Sequence, residues 1–479
     1  MNDSQAGVAR PVGLVLRPAS VPPRAAAAPL SKLTAEIAAI MLLCPVFLHA
    51  ALWNGFPFVF FDTGAYVLEG FGHFFVPERS PVYSLFLLYA GGRASLWTVA
   101  LVQCLMTAFA VVEFARAVRP QTGLWEMLAI GVALALFTSI AWCAGDIEPD
   151  CMTPILALAL YLLAFRAQQV GWVRGVLLLC VAAFATGAHP ANLGLSAGLV
   201  AGVAAAKLAS LVWRWLPRPN LLVPALAFAL GLGLVLTANY SLTHKLFVSR
   251  SGAVFLTARL MGDGIVKRTL DDICPTRHLK LCAYKDRLSS TADNWLWGEE
   301  SSFNKLGRFK GTEKESRMVA AESFRRYPLT SLGTGLWQSF RQFWMFRTGD
   351  GIAPQQWVLD TEFKNFLPRQ FKAYQDARQQ HDVVRFTPVN VVHYPLALLS
   401  LIWLFVVLWQ AVKRRQWDRA ALPAFVFLAL IGNALVCGLF SGPHDRYQSR
   451  LIWLPALVLL LTERPRLELT LRRSVESGT

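Results

Sequence analysis

The segment at positions 54–93 lies between two apolar stretches and contains an acidic residue among aromatic ones, Asp62, with Tyr66 four residues further on. A carboxylate beside aromatic rings at a membrane surface is well placed to accept a proton from a bound nucleophile, which is the role of a general base. The alternative is that Asp62 caps a short interfacial helix beginning at Thr63. If Asp62 is the base, Tyr66, Arg79 and Tyr83 are candidates for contacts with the acceptor, the molecule that carries the nucleophile.

A second acidic segment contains Asp146, Glu148 and Asp150 within five positions, immediately before another apolar stretch. Carboxylates this close repel one another, so they favour a cation, a hydrogen-bonded sugar or a raised pKa on at least one of them. The alternative is a solvated turn in which Asp150 caps the following helix. We expect this turn to hold a donor sugar or a divalent cation such as Mg²⁺ or Mn²⁺, and the sequence leaves the metal unknown.

Cationic and imidazole groups open two later apolar segments. His189 precedes one of them and is grouped with the acidic turn, while Arg446 and Arg450 precede another. Guanidinium groups bind phosphate through paired hydrogen bonds, and helix N-termini attract anions. We therefore expect Arg446 and Arg450, with Lys245 as a further candidate, to bind a lipid phosphate, and His444 to lie near the acceptor. Interfacial snorkelling of the two arginines is the alternative.

The composition indicates that apolar helices position these residues. Of 479 residues, 55% are hydrophobic and 16% are charged, against roughly 25% charged in an ordinary soluble domain. The net charge of +16 does not indicate nucleic acid, because many basic residues lie in short runs between apolar segments, as the positive-inside bias places them. The fold class is therefore an all-α polytopic membrane protein, with membrane lipids as its surroundings.

About ten windows approach the roughly 20 residues that a membrane-crossing helix needs. They are Leu33–Trp53, Ala94–Val118, Trp125–Cys143, Cys151–Ala167, Gly175–Gly187, Ala191–Trp213, Leu221–Leu242, Val391–Val412, Ala420–Phe440 and Leu451–Thr462. Basic residues follow every even-numbered window. This pattern predicts cytoplasmic termini in the inner cell membrane and places the acidic and histidine residues on the periplasmic side.

The chain is accordingly expected to divide into five parts. These are a disordered cytoplasmic leader (1–31), an N-terminal transmembrane module (32–242), a mixed or mainly helical periplasmic domain between helices seven and eight (243–390), C-terminal transmembrane helices (391–463) and a cytoplasmic tail (464–479). Cys274 and Cys282 lie well clear of the apolar windows, so an oxidising compartment favours a disulfide between them. Two buried thiols are the alternative.

The motifs resemble the GT-C superfamily of polytopic glycosyltransferases, which includes protein O-mannosyltransferases and the aminoarabinose transferases of lipid A. The first outer loop matches at Asp62, Tyr66 and the stretch Ser80–Tyr83. The second matches at Glu148 or Asp150. A late Arg-Tyr pair followed by proline matches at Arg446, Tyr447 and Pro455.

This resemblance implies transfer of a sugar from a polyprenyl-phosphate carrier to an envelope acceptor, with inversion and with Asp62 as the base. A pair of adjacent acidic residues familiar in the first loop is absent, since Thr63 follows Asp62, so a metal-dependent mechanism is not implied. A transporter or lipid flippase, and a surface-polysaccharide polymerase or ligase, are alternatives. The basic segment Arg308 to Arg326 keeps the last of these open.

Overall fold

The structure is a computed structural model that describes residues 31–462. Over that range the regular structure is helical, and the one β-type contact is an isolated bridge between Phe58 and Asp146. The predicted leader, apart from Ser31, and the predicted tail lie outside the described residues.

Residues 31–243 contain eleven α-helices. They are α1 Lys32–Asn54, α2 Phe61–Gly72, α3 Pro81–Tyr89, α4 Leu96–Val118, α5 Leu124–Phe137, α6 Ile140–Ala144, α7 Met152–Phe165, α8 Ala167–Val170, α9 Trp172–Ala188, α10 Pro190–Val212 and α11 Leu222–Thr243. A 3₁₀ helix, Pro149–Cys151, leads into α7.

Twelve further α-helices complete the described chain. They are α12 Gly252–Gly262, α13 Ile265–Ile273, α14 Ala292–Trp297, α15 Ser302–Lys305, α16 Arg308–Arg326, α17 Pro328–Trp344, α18 Gln356–Phe366 and α19 Pro368–Gln375, then α20 Thr387–Lys413, α21 Trp417–Phe440, α22 Arg446–Ser449 and α23 Leu454–Leu461. Short 3₁₀ helices occur at Lys280–Tyr284 and Arg378–His381.

Six helices in the described part of the chain are long and apolar enough to cross a membrane, namely α1, α4, α10, α11, α20 and α21. The other four predicted windows coincide with shorter helices: α5, α7 and α9 of 14 to 17 residues, and α23 of eight. The chain is therefore a multi-pass membrane protein, and residues 31–462 include six apolar helices of membrane-crossing length.

The third predicted window is interrupted between α5 and α6. The helix stops at Phe137, where the Thr138 hydroxyl donates to the Leu134 carbonyl at 2.6 Å. The hydroxyl of Ser139 donates to the backbone carbonyl of Ser449. This bond ties the break to the segment that carries Arg446 and Arg450.

The short helix α7 is the centre of the bundle. Its residues from Met152 to Ala164 are all buried, and it packs against α4 and α9. A helix that is apolar on every side and covered on every side is held by packing against its neighbours. Close approaches at small residues also join the outer helices, because a Cβ on Gly231 of α11 would lie 2.6 Å from Thr186 of α9.

The stretch predicted as one outer domain has two differently packed parts. Residues 254–320 enclose a core of their own around Trp295 and Phe303, and the expected pair Cys274 and Cys282 is joined by a disulfide nearby. By contrast, Phe363 and Tyr374 belong to the core of the membrane helices, where both contact Phe56. The second part therefore covers the first outer loop.

Candidate functional site

Asp62 is positioned by the first turn of α2. The helix begins at Phe61, and the Thr63 hydroxyl accepts a hydrogen bond from the Phe60 N–H at 2.9 Å while donating to the Ile147 carbonyl at 3.1 Å. The alternative in which Asp62 caps a helix starting at Thr63 is wrong. Its side chain instead points into a cluster of charged groups.

Two contacts bring the acidic turn beside this helix. The strand-like bridge between Phe58 and Asp146 joins the two loops, since the Phe58 N–H donates to the Gly145 carbonyl and the Ile147 N–H donates to the Phe58 carbonyl. Gln379 also holds the loop that precedes α2, because its side-chain amide bonds to both the N–H and the carbonyl of Val59.

Two arginines hold the Asp62 carboxylate. Arg79 donates to one oxygen, and Arg446 donates to the other at 3.3 Å. The Asp62 side chain is 7% exposed, and the two guanidinium groups are nearly buried. Arg446 also lies over the ring of Phe60, with 4.0 Å between the guanidinium carbon and the ring centre. Each oxygen of this buried carboxylate therefore has its own guanidinium partner.

Asp150 and Arg450 form the second ion pair of the cluster, at 2.6 Å. Arg450 is fully buried and also donates to the Asn433 amide oxygen at 2.9 Å. Although burial raises the pKa of Asp150, Arg450 and Arg446 outweigh it and hold that pKa below its usual value. Cys151, not Asp150, precedes α7. Neither a solvated turn nor arginine snorkelling describes this arrangement.

The other two carboxyl groups of the turn lack a strong cationic partner. Glu148 is fully buried and accepts a hydrogen bond from Thr63 at 3.3 Å. Burial, and then the negative charge of Asp62, raises the pKa of Glu148 well above its ordinary value. Burial and the charge of Asp150 similarly raise the pKa of Asp146. At neutral pH the cluster therefore holds a protonated carboxyl group that can donate a hydrogen bond.

His189 is neutral and faces the same region. It caps α10 by accepting the Ala191 N–H at its Nδ1 atom, at 3.0 Å. Burial and then the charge of Arg450 lower its pKa to about 3. Because Nδ1 accepts a hydrogen bond in this neutral ring, Nε2 carries the proton.

An open cavity with about 490 Å³ of space adjoins Arg79 and His189. Ser80 and Asn239 add polar groups to its wall, and the rest is mainly apolar. Its apolar lining residues come from the α2–α3 loop, from α10 and α11, and from the loop after α11: Phe75, Pro77, Pro81, Pro190, Leu193, Val235, Phe247 and Val248.

Several cluster atoms have hydrogen-bonding capacity to spare. In the described part of the chain, Arg79 Nε, Arg446 Nη1 and Arg450 Nε are buried without a hydrogen-bond partner, as is the Asp146 Oδ1 atom. Buried polar groups are normally satisfied, so the unpaired donors of the cluster are available to a ligand. Donors on arginine suit an anion.

A divalent cation does not fit these carboxylates well. Over residues 31–462 no three His, Cys, Asp or Glu side chains come together as a group that could hold a metal ion. Asp62 and Asp150 are already neutralised by guanidinium groups, whereas Mg²⁺ and Mn²⁺ sites need oxygen ligands free to face the ion.

The remaining predicted residues lie in different places. Tyr66 and Tyr83 are buried with their ring centres 4.8 Å apart, and Tyr83 donates to Gln103 at 2.5 Å. His444 lies between two carboxylates, 3.4 Å from Asp293 and 3.7 Å from Asp350. Lys245 is exposed, and its side chain forms no ion pair with any residue between 31 and 462. It is not part of the cluster.

Sequence reasoning missed four polar residues that shape the site: Glu69, Glu78, Gln379 and Asn433. Glu69 is buried and accepts hydrogen bonds from the Val76 N–H and the Ser84 hydroxyl, which fixes the loop carrying Arg79. A polar residue inside an otherwise apolar helix was the available signal for Asn433. The other three have no distinctive sequence signal.

No protein-family model, curated protein or solved structure matches this chain. The cluster of Asp62, Arg79, Asp150, Arg446 and Arg450 therefore provides the basis for a functional proposal.

Proposed function

We propose that this chain is a glycosyltransferase of the GT-C type, which moves a sugar from a polyprenyl-phosphate carrier to a lipid, glycan or protein acceptor in the cell envelope. The observation that carries the proposal is the position of Asp62 between Arg79 and Arg446, at the ends of apolar helices. One carboxylate and two guanidinium groups therefore lie close enough together to contact a single bound ligand.

The proposal includes ten membrane crossings, with α5 plus α6, α7, α9 and α23 as the short ones, cytoplasmic termini and a periplasmic site. Exposed tryptophans support this topology. Trp125, Trp172 and Trp215 lie at the ends of α5, α9 and α10 that carry the basic residues, and tryptophan is enriched at membrane interfaces.

The carrier phosphate would bind to Arg79 and Arg446, with the His189 Nε2–H as a further donor. The unpaired Arg79 Nε and Arg446 Nη1 atoms support this assignment. The cavity beside Arg79 has an apolar wall suited to the first isoprene units of the carrier.

Binding of the phosphate would also change the state of Asp62. Without substrate, the two guanidinium groups neutralise the carboxylate. A phosphate that engages them competes with Asp62 and leaves it free to accept a proton. The acceptor oxygen or nitrogen then forms a bond to the anomeric carbon while the bond from that carbon to the phosphate oxygen breaks. The proton moves to Asp62, and the carrier phosphate leaves with its charge neutralised by the arginines.

The protonated Glu148 or Asp146 would donate a hydrogen bond to a sugar hydroxyl. Asp150 has a different task, because its carboxylate holds Arg450 and lies 3.9 Å from Arg446. Asp150 is therefore a positioning residue for Arg446 in this mechanism.

The test is transfer of a radiolabelled sugar from a polyprenyl-phosphate donor to envelope extract by the purified protein in lipid nanodiscs. Asp62→Asn should lower turnover at least about 100-fold, since removing a general base costs roughly 10²–10⁴-fold. The matched control is Asp286→Asn, which changes an exposed carboxylate in the separately packed part at residues 254–320. This variant should keep full activity. Unchanged turnover in both Asp62→Asn and Glu148→Gln would contradict the proposal.

A further inference from the structure

Helix α17 has one strongly apolar face that nothing in residues 31–462 covers. The exposed side chains on it are Leu329, Leu332, Leu336, Trp337, Phe340 and Trp344, with exposures from 44% to 85%. Five of these positions recur at the spacing of a single helical face. The helix contains no acidic residue and one basic residue, Arg341.

The opposite face of α17 is small and polar, and it packs on the membrane helix α21. A Cβ on Gly335 would lie 2.7 Å from Leu439, and one on Gly438 would collide with the backbone of Ser339. Small residues on both helices permit this close approach, which is typical of helix pairs inside membranes. The buried residues Ser331 and Gln342 belong to the same face.

The position of α17 on α21 indicates what covers its apolar face. The contact lies at the end of α21 that leads into the charged cluster, where Phe440 follows Leu439 and is itself 55% exposed. A membrane-crossing helix therefore packs directly on α17, and an exposed apolar residue lies one position from the contact. Exposed apolar patches larger than roughly a few hundred Å² are rare on water-facing surfaces. Tryptophan and phenylalanine beside a single arginine are typical of helices that lie in a membrane interface.

We propose that α17 lies in the outer leaflet of the bilayer, with its Leu329, Leu336, Phe340 and Trp344 side chains in contact with lipid chains. The stretch predicted as an extramembrane domain thus contains a membrane-embedded helix. The choice of leaflet rests on the topology in the proposed function, whereas the contact with lipid rests only on the apolar face and the contact with α21 and does not depend on the proposed reaction.

The embedded helix is also joined to the charged cluster. Gln342 donates to the His444 carbonyl at 2.8 Å and accepts the His444 N–H at 2.9 Å. His444 lies two positions before Arg446, whose guanidinium holds Asp62. Two hydrogen bonds therefore join α17 directly to the segment that carries Arg446.

The test uses the unmodified chain in nanodiscs that contain a phosphatidylcholine with a diazirine in its acyl chain. After illumination and proteolysis, mass spectrometry locates the lipid adducts. We expect adducts on the α17 peptide at a yield similar to that of the exposed α20 residues Leu399 and Ile402. The exposed α16 residues Lys314 and Arg317 should carry at least tenfold fewer.

Two outcomes would overturn the inference. The first is an α17 yield equal to that of α16, which would mean that water covers this face. The second is an unlabelled α17 whose peptides crosslink to α17 of another copy, which would make the face a contact between protomers. A variant adds a second measurement: Phe340→Ser with Trp344→Ser should lower the α17 yield, while Arg317→Ser at α16 should leave it unchanged.

Discussion

Arg450 and Asp150 form a 2.6 Å ion pair although 300 positions separate them in the chain. The guanidinium is 1% exposed, and the carboxylate belongs to the 3₁₀ helix that leads into the central helix α7. This pair links the last membrane segment to the acidic turn. Arg450 also donates a hydrogen bond to Asn433 of α21.

Breaking this pair on one side should be costly. Arg450→Met leaves Asp150 buried with only the more distant Arg446, and such a loss costs about 3–5 kcal/mol, whereas removing both partners is often nearly neutral. We expect a large drop in thermal stability for Arg450→Met and a partial recovery in the double variant with Asp150→Asn. The midpoint of thermal aggregation, followed by fluorescence-detected size exclusion, measures both. Equal losses in the single and double variants would contradict the pairing.

The same pair predicts an acid dependence. Because the pKa of Asp150 is depressed in the folded protein, its stabilisation is present above the unfolded pKa of about 3.9 and is lost as the pH falls through the folded value. The wild type should lose stability in acid through this contribution, and the double variant should not. Thermal midpoints at pH 7 and at a series of pH values below about 3.9 compare them.

The guanidinium fork should matter more than its charge. Arg446→Lys keeps the cation but loses the paired donors that bind a phosphate or carboxylate. We expect sugar transfer to fall about 10–100-fold, as the loss of about 1.5–3 kcal/mol from a charged hydrogen bond implies. Arg317→Lys, at an exposed site, is the matched control. Similar rates for both variants would show that charge alone suffices.

Glu69 should give the protein a second pH dependence, of opposite sign. Burial raises its pKa from 4.5 to about 7, so its stabilising contribution is complete below the unfolded pKa and is lost as the pH rises through about 7. The difference of about 2.5 between these pKa values corresponds to about 3 kcal/mol. Glu69→Gln cannot ionise and should remove this dependence.

The measurement is the thermal midpoint between pH 4.5 and pH 8. Glu299→Gln, at an exposed carboxylate, should follow the wild type throughout. A Glu69→Gln profile with the wild-type slope would mean that another group titrates in this range.

The disulfide should stabilise only the separately packed part of the chain at residues 254–320. The bond between Cys274 and Cys282 closes a loop with a sequence separation of eight, and the chain-entropy relation gives about 2.5 kcal/mol for such a loop. Changing both residues to serine should speed proteolysis within residues 254–320 and leave the membrane helices intact. Limited proteolysis with mass spectrometry measures this, and faster cleavage of the membrane helices would be the contrary result.

The sequence predicted the class of the fold because apolar windows and basic runs are local signals. The lengths of the helices were harder to predict. The window at Trp125–Cys143 is broken at Ser139, whose hydroxyl bonds to a carbonyl 310 positions away, and no local pattern reveals such a partner. Helix α17 was missed as an apolar helix because polar residues interrupt its apolar face in the sequence.

The members of the charged cluster were predicted more completely than their pairings. Asp62 was expected as the base, without a prediction of its partners, and it is bound to Arg446, 384 positions away. Arg79, expected near the acceptor, is its other partner. Lys245 was expected among the phosphate ligands because it follows an apolar window, but proximity in sequence to a membrane segment does not determine which way a side chain points.

Glu36 of α1 is 138 positions before its partner Arg174 of α9, which it contacts at 2.5 Å. Glu113 of α4 contacts the same arginine at 2.9 Å. Arg116 of α4 pairs with Glu113 at 2.8 Å and lies 4.0 Å from Glu36. The two acidic helices therefore have one cation between them before Arg174 has been synthesised. Because charged groups in membrane helices are costly unless they are paired, two carboxylates share one arginine until α9 is in place, and the second arginine completes the set of two acidic and two basic side chains.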